Sequence, residues 1–147
     1  MRGLALLAQL VFMLLGNEVL ACECEPLPSE SDPVLELEHG LMNVDTVFLG
    51  TVEDIKIVED ERQPRIPVYV SRISVRESFL APEISVVITR SHPSEVCGIE
   101  FVEGSKYLIF GNKDSKGAVW VSGCSFTKLA DRADRVVELL RKRGRDE

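Results

Sequence analysis

Four cysteines constrain the fold of this 147-residue chain more than any other feature. Cys22 and Cys24 form a Cys-x-Cys pair directly after an apolar leader, and Cys97 and Cys124 stand alone further along the chain. An even number of cysteines in an exported chain favours disulfides, so we expect two of them. The alternative is a four-thiolate zinc site, but here only one close pair exists and its spacer is a single residue. Disulfides are therefore the preferred interpretation.

The cysteine spacing does not decide which residues are joined. Four cysteines allow three pairings. A bridge between Cys22 and Cys24 would close a very tight ring, so we favour one of the two pairings that join this pair to Cys97 and Cys124. Either pairing closes loops of roughly 75 to 100 residues and fastens the Cys-x-Cys segment to the body of the domain.

The leader has the features of a secretory signal peptide. Arg2 supplies a positive charge, and residues 4–16 form an uncharged apolar run. That run is about 13 residues, shorter than the roughly 20 that span a bilayer, which argues against a membrane anchor. We expect cleavage after Ala21, so that residues 1–21 are the signal peptide.

Cleavage there predicts a single secreted, extracellular domain over residues 22–147, with a periplasmic or outer-surface location if the source is bacterial. Cys22 would then be the first residue of the mature protein. In a bacterium, acylation of Cys22 is the alternative that would attach the protein to a membrane. Leu20 fits this alternative poorly, since a small residue normally stands two positions before such a cysteine.

The charge of the chain argues against nucleic acid as a partner. The formal net charge is -7, so phosphate backbones and anionic lipids would not be held by net charge. The basic residues between positions 141 and 145 end a predicted helix, where cations complement the helix dipole. We expect no nucleic-acid partner, and a membrane partner only if Cys22 is acylated.

Hydrophobic periodicity predicts a mainly β domain. Five segments show two-residue alternation or short apolar runs, and turn-forming residues separate them. Without alternating helices, five such strands favour a small antiparallel sandwich or barrel. The strand segments are residues 46–58, 66–77, 84–90, 106–111 and 118–122. The side chains expected to fill the interior are Phe48, Val70, Ile73, Val87, Tyr107, Ile109 and Trp120, with an exposed aromatic binding face as the alternative.

Two helices are predicted to flank these strands. The first has Pro33 in its first position, is capped by Ser31 or Asp32, and ends between residues 40 and 43. A proline-rich stretch precedes it and is expected to form an extended arm. The second helix is amphipathic and is expected to run from a Thr127 cap to about Arg143.

No residue pattern predicts catalysis, a cofactor or a resident metal. His39 lies near a helix end and His92 precedes a proline in a loop, so neither is assigned a role. A nucleophile elbow, a phosphate-binding glycine loop and a metal-ligand helix are all missing from the sequence. We therefore expect that the protein is not an enzyme and needs no cofactor.

As a set, the motifs of residues 22–143 resemble the inhibitory domain of the tissue inhibitors of metalloproteinases and, more broadly, netrin-like modules. The resemblance implies a five-stranded, OB-fold-like Greek-key barrel with one N-terminal and one C-terminal flanking helix. It also implies the disulfides Cys22–Cys97 and Cys24–Cys124. The motifs that carry it are Cys22-x-Cys24-x-Pro26, the Val47–Val52 segment after a helix, Val96-Cys97-Gly98, Tyr107-Leu108-Ile109 and Cys124-Ser125-Phe126.

The resemblance implies a secreted inhibitor whose partner is a zinc metalloprotease. In that family the amine and carbonyl oxygen of the first cysteine chelate the catalytic zinc of the protease, and the next side chain enters its specificity pocket. Carried over by position, Cys22 is the chelating residue and Glu23 the pocket residue. The residues implied to contact the target are Glu23, Cys24, Glu25, Pro26, Glu95 and Val96.

Two features depart from the family pattern. Family members usually have a small hydroxylated residue where this chain has Glu23, and burying that carboxylate in an apolar pocket would be unfavourable. A third barrel disulfide is also absent, because no cysteine lies between Cys24 and Cys97. The alternative function is a non-inhibitory netrin-like module, or a lipid-anchored variant, that binds another extracellular protein through a different barrel surface.

Overall fold

A computed structural model describes Cys22, Cys24 and residues 32–60, 64–81 and 85–146. The predicted signal peptide, residues 1–21, lies outside these described residues. So do Glu23 and residues 25–31, which include Glu25, Pro26 and most of the predicted extended arm.

The described residues form two α-helices, six β-strands and two short 3-10 helices. Helix α1 precedes the strands and α2 follows them. No described helix has both the length and the apolar character that a membrane span requires. The bounds are α1 Pro33–Leu41, β1 Thr46–Glu59, β2 Pro67–Leu80, β3 Val86–Ser91, the 3-10 helix Ser94–Val96, β4 Lys106–Lys113, β5 Val119–Trp120, β6 Lys128–Leu129, the 3-10 helix Ala130–Arg132 and α2 Asp134–Asp146.

The strands form one mixed sheet in the order β1-β2-β3-β5-β4-β6. Strand β1 also pairs with β4, so the pairings of five strands form a closed ring and β6 extends it beyond β4. Strands β3 and β5 are parallel, with Thr89 opposite Val119, and the other pairings are antiparallel.

The mainly β prediction is confirmed, but two of its details are wrong. The sheet has six strands rather than five, because Lys128 and Leu129 pair with β4. A two-residue strand is too short to show a period, so the sequence pattern missed it. The sheet is also mixed rather than antiparallel, since a parallel pairing depends on long-range contacts that strand periodicity does not report.

Alternating side chains of the sheet fill two separate apolar clusters. In β4, Tyr107 and Ile109 point into the ring, whereas Leu108 and Phe110 point to the helices. The ring cluster contains Phe48, Val52, Ile73, Val87, Phe101, Tyr107, Ile109, Val119 and Val121. The cluster beneath the helices contains Leu37, Val47, Leu108, Phe110, Ala133, Val136, Val137 and Leu140.

Two residues that were predicted to fill the interior lie outside it. Val70 and Trp120 are partly exposed and belong to neither buried cluster. Their neighbours Ser71 and Val119 are fully buried, so strand alternation turns Val70 and Trp120 to the outer face of the sheet. Both faces of these strands carry apolar residues, which is why the sequence pattern assigned Val70 and Trp120 to the core.

The first helix follows the sequence prediction. Asp32 caps α1 by accepting hydrogen bonds from the backbone N–H groups of Val34 (3.0 Å) and Leu35 (3.3 Å). The helix ends at Leu41, within the predicted range. An ion pair between Glu36 and Lys128, both largely buried, joins α1 to β6.

The second helix begins later than predicted. It starts at Asp134, and the predicted cap, Thr127, is used elsewhere. The Thr127 hydroxyl accepts a hydrogen bond from the N–H of Phe110 (2.9 Å) and lies 3.2 Å from the Phe110 carbonyl oxygen. Thr127 therefore fixes the chain to β4 just before β6.

Candidate functional site

Two disulfides hold the Cys-x-Cys segment. Cys22 is joined to Cys97, with a Cα–Cα distance of 5.5 Å, and Cys24 is joined to Cys124, with a Cα–Cα distance of 5.3 Å. This is the pairing that the family resemblance implies. Because all four cysteines are used in these bridges, no thiolate remains for the four-thiolate zinc site.

Cys97 lies at the end of a tight turn. It follows the 3-10 helix Ser94–Val96, and its own N–H donates to the carbonyl oxygen of Ser94 (3.2 Å). The turn is held to the chain that follows it, because the hydroxyl of Ser94 donates to the carboxylate of Glu100 (3.0 Å). With φ of 65°, Cys97 is the one non-glycine residue in the left-handed region among the described residues. This turn, residues 93–98, is called the Cys97 loop below.

Cys124 lies in a second tight turn, residues 122–125, called the Cys124 loop below. The N–H of Cys124 donates to the hydroxyl of Ser122 (3.1 Å), and the N–H of Ser125 donates to the carbonyl oxygen of Ser122 (2.9 Å). Local hydrogen bonds of this kind are typical of serine in turns. The second bridge is therefore attached to a loop that has its own internal hydrogen bonds.

The two loops touch each other. The N–H of Gly123 donates to the carbonyl oxygen of Cys97 at 2.7 Å. A Cβ added to Gly123 would lie 2.7 Å from the carbonyl oxygen of Gly98, and a Cβ added to Gly98 would overlap the carbonyl group of His92. Only glycine permits this close approach, so Gly98 and Gly123 let the two bridges meet at one end of the sheet.

Sequence reasoning named Gly98 only within the Val96-Cys97-Gly98 motif and did not name Gly123, so neither glycine was predicted to be part of the site. The signal was present, because each distant cysteine has a glycine beside it, in Cys97-Gly98 and Gly123-Cys124. A glycine next to a bridged cysteine indicates a place where another backbone approaches closely.

The structure brings together only some of the predicted contact residues. Glu95 and Val96 are exposed, and they immediately precede Cys97, so they lie beside its bridge to Cys22. The N–H of Cys24 donates to the carbonyl oxygen of Cys22 (3.1 Å), which turns the Cys-x-Cys segment back on itself. The other predicted contacts, Glu23 with Glu25 and Pro26, are outside the described residues.

A cavity of ≈ 360 Å³ adjoins the Cys97 loop. Its lining includes Val96, Cys97, His92 and Trp120. The His92 and Trp120 rings lie 5.2 Å apart, which fixes the imidazole against the indole. Within the described part of the chain, no group of three or more His, Cys, Asp or Glu residues could hold a metal ion.

Comparison with known protein families finds no family model that matches the chain. A comparison with curated proteins finds no match either. A function for this protein must therefore be inferred from the geometry of the two bridges and the loops that carry them.

Proposed function

We propose that this protein is a secreted inhibitor of zinc metalloproteases, not an enzyme, and that it presents the amine and carbonyl oxygen of Cys22 to the catalytic zinc. The observation that carries the proposal is that both bridges of the Cys-x-Cys segment lead to loops in mutual contact. We further propose that the closed ring of strand pairings is an OB-fold-like Greek-key barrel, which the parallel β3–β5 pairing and the antiparallel remainder support.

The proposed chelating group depends on removal of the signal peptide. Cleavage after Ala21 leaves a free α-amine on Cys22, and because α-amines ordinarily have a pKa of about 8, the neutral form is accessible at neutral pH. The carbonyl oxygen of Cys22 accepts one hydrogen bond, from Cys24, and a carbonyl oxygen has a second lone pair for a metal. Nitrogen and oxygen of the same residue can thus reach one zinc ion.

The bridges would lower the entropic cost of binding. A free chain terminus loses backbone and side-chain freedom when it is immobilised against a partner. Here Cys22 and Cys24 are already fixed to the Cys97 and Cys124 loops. Glu95 and Val96 extend the same surface, so a protease that binds the zinc-chelating residue would also contact this exposed turn.

Glu23 determines how strong such inhibition would be. In the proposed pose its side chain enters the specificity pocket of the protease, and an ionised carboxylate in an apolar pocket is unfavourable unless a cation pairs with it. We therefore expect the protein to inhibit proteases with apolar pockets weakly and to inhibit a protease whose pocket contains a positive charge more strongly.

The test measures inhibition constants against a panel of zinc metalloproteases, after intact-mass analysis has shown that the protein begins at Cys22 and carries no lipid. An added N-terminal alanine should abolish inhibition, because it turns the amine into an amide and blocks the approach to the metal. Glu23→Thr should strengthen inhibition of proteases with apolar pockets by about ten-fold, while Glu38→Thr, on the exposed face of α1, should change nothing.

Two results would contradict the proposal. If the alanine-extended form inhibits as well as the form that begins at Cys22, zinc chelation by the terminus is wrong. If neither these forms nor Glu23→Thr inhibits any protease in the panel, the protein is better described as a non-inhibitory extracellular binding module.

A further inference from the structure

A second cavity, of ≈ 430 Å³, opens on the outer face of the sheet. Its lining includes Arg90 of β3 and Trp120 of β5, which are directly paired across the parallel strands. Both neighbours of Arg90, Thr89 and Ser91, are fully buried, so Arg90 points to the opposite side of the sheet from the ring interior. None of the described lining residues belongs to the Cys97 or Cys124 loop, although Trp120 also lines the cavity beside the Cys97 loop.

Arg90 lines this cavity, and its side chain has an unused buried donor. Its Nε is buried and has no hydrogen-bond partner among the residues that the structure describes. Leaving a charged donor buried and unpaired is unfavourable, so such a group is normally matched by an acceptor. The planar guanidinium fork fits a carboxylate better than any other common group, because two parallel N–H groups can donate to its two oxygens.

The other charges of the cavity limit the charge of a ligand. Lys116 adds a second cation, and Glu59, Asp60 and Asp114 add three carboxylates. The two cations and three carboxylates together carry a net charge of −1, so a polyanion meets stronger repulsion than a single negative charge placed beside Arg90. The lining therefore favours a ligand with one carboxylate over a polyphosphate.

Asp114 is used within its own turn. Its Oδ1 accepts hydrogen bonds from the N–H groups of Lys116 (2.8 Å) and Ala118 (2.9 Å). Burial opposes ionisation of this carboxyl, but these hydrogen bonds and the nearby charges of Arg90 and Lys116 outweigh it and lower the pKa of Asp114. Asp114 thus stays ionised and closes the β4–β5 turn at the edge of the cavity.

Trp120 gives the cavity a flat apolar wall. Its indole is partly exposed, and contact with the His92 ring holds it in place. Val58 and Val68 add aliphatic surface from the β1–β2 hairpin. The volume lies within the range of about 300 to 1,000 Å³ that is usual for small-molecule sites.

We propose that this cavity binds a ligand with one carboxylate and a planar apolar group, the carboxylate on Arg90 and the planar group against Trp120. Two sources could supply that chemistry: a free aromatic acid, or the C-terminal residue of a peptide chain. The site goes beyond the proposed inhibition and does not depend on it, since it uses neither the disulfides nor Cys22.

Trp120 is the one tryptophan of the chain and also lines the cavity beside the Cys97 loop, so a change in its emission is assigned to this cavity by the Arg90 variants below. The probes are phenylacetate for a free acid and N-acetylglycyl-phenylalanine for a chain terminus, each compared with its neutral amide at constant ionic strength. At least one acid should change the emission saturably, with the matching amide at least about ten-fold weaker. Binding by phenylacetate alone assigns a small acid, and binding by the peptide acid assigns a chain terminus.

Variants test the assignment to Arg90. Arg90→Gln should weaken binding of the acid about ten-fold or more, and Arg90→Lys should restore part of it. Arg76→Gln, an exposed arginine of β2 outside the cavity, is the matched control and should bind as the unmodified protein does. Thermal unfolding establishes that each variant is folded.

The proposal is overturned if neither acid gives saturation by about 10 mM, if the amides bind as well as the acids, or if folded Arg90→Gln binds unchanged. It is also overturned if inorganic phosphate or a nucleoside triphosphate displaces the acid at lower concentration. The comparison of acid with amide uses the unmodified protein, so it decides the question even if Arg90→Gln does not fold.

Discussion

The two disulfides should contribute equally to stability, although they close loops of different length. Their sequence separations are 75 and 100 residues. Acting independently in the chain-entropy relation, they would contribute about 4.5 and about 4.7 kcal/mol. They are not independent, because Cys22 and Cys24 are two positions apart in the chain.

With one bridge intact, the other closes a much smaller ring in the unfolded chain. The shortest path from Cys22 to Cys97 then passes through Cys24 and Cys124 and returns along the chain, a ring of about 29 residues. The path that the other bridge closes has the same length. Each bridge should therefore contribute about 3.6 kcal/mol in the presence of the other, and loss of both should cost about 8 kcal/mol. That total is comparable with the whole stability of many domains.

The assay is urea unfolding of four proteins that begin at position 22, each with its remaining cysteines joined in disulfides. They are the unmodified protein, the variant in which Cys22 and Cys97 are both serine, the variant in which Cys24 and Cys124 are both serine, and the variant in which all four cysteines are serine. The two variants should lose the same free energy of unfolding within about 0.5 kcal/mol, and the fourfold serine variant should be mostly unfolded. If one pair costs less than about 1 kcal/mol and the other more than about 3 kcal/mol, the coupled-ring reasoning is refuted.

Two further predictions concern backbone packing and acid stability. Gly98→Ala should lower the free energy of unfolding by about 3 kcal/mol or more, because the added Cβ would overlap the His92 carbonyl. Gly144→Ala, in open space on α2, should raise the free energy of unfolding by up to about 1 kcal/mol. Thermal unfolding that finds Gly98→Ala as stable as Gly144→Ala contradicts this reasoning. The hydrogen bond from Arg141 (2.7 Å) lowers the pKa of Glu77 below its ordinary 4.5, so this pair stabilises the fold fully above that pH and progressively less as the pH falls through the lowered pKa. In Arg141→Gln the free energy of unfolding should therefore fall less on acidification than it does in the unmodified protein. If urea unfolding gives the two proteins the same dependence on pH, the pair contributes nothing to stability.

Local sequence signals were sufficient to predict the helices and strands that are determined by interactions between neighbouring residues. Asp32 followed by Pro33 predicts the start of α1, and the side chain of Asp32 does cap it. The long periodic segments predict β1, β2 and β4 to within about three residues. These elements carry their own signal, because capping and amphipathic alternation are properties of neighbouring residues.

Elements that depend on distant contacts were not predictable in this way. Thr127 has the character of a helix cap, but its hydroxyl is used by Phe110, 17 residues earlier in the chain. Trp120 resembles a core aromatic, yet the buried Val119 beside it fixes the alternation that turns it outward. Arg90 gave no sequence signal, since its unpaired Nε depends on how strands and hairpins surround it. For Thr127 and Trp120, the surrounding structure overrides the local preference.

The parallel pairing of β3 with β5, which strand periodicity did not predict, is nevertheless favoured by the cysteine pattern. Two positions of extended chain span at most about 7 Å, so Cys22 and Cys24 can reach Cys97 and Cys124 only if those two lie close together. Cys97 follows the end of β3 and Cys124 follows the end of β5. If β3 and β5 were paired antiparallel, the chain would leave β5 in the direction opposite to that in which it leaves β3. Because the strands are parallel, both lead to the same edge, where the Cys97 and Cys124 loops touch. A Cys-x-Cys pair with two long-range bridges, each to a cysteine that follows a strand, therefore favours two strands that end side by side.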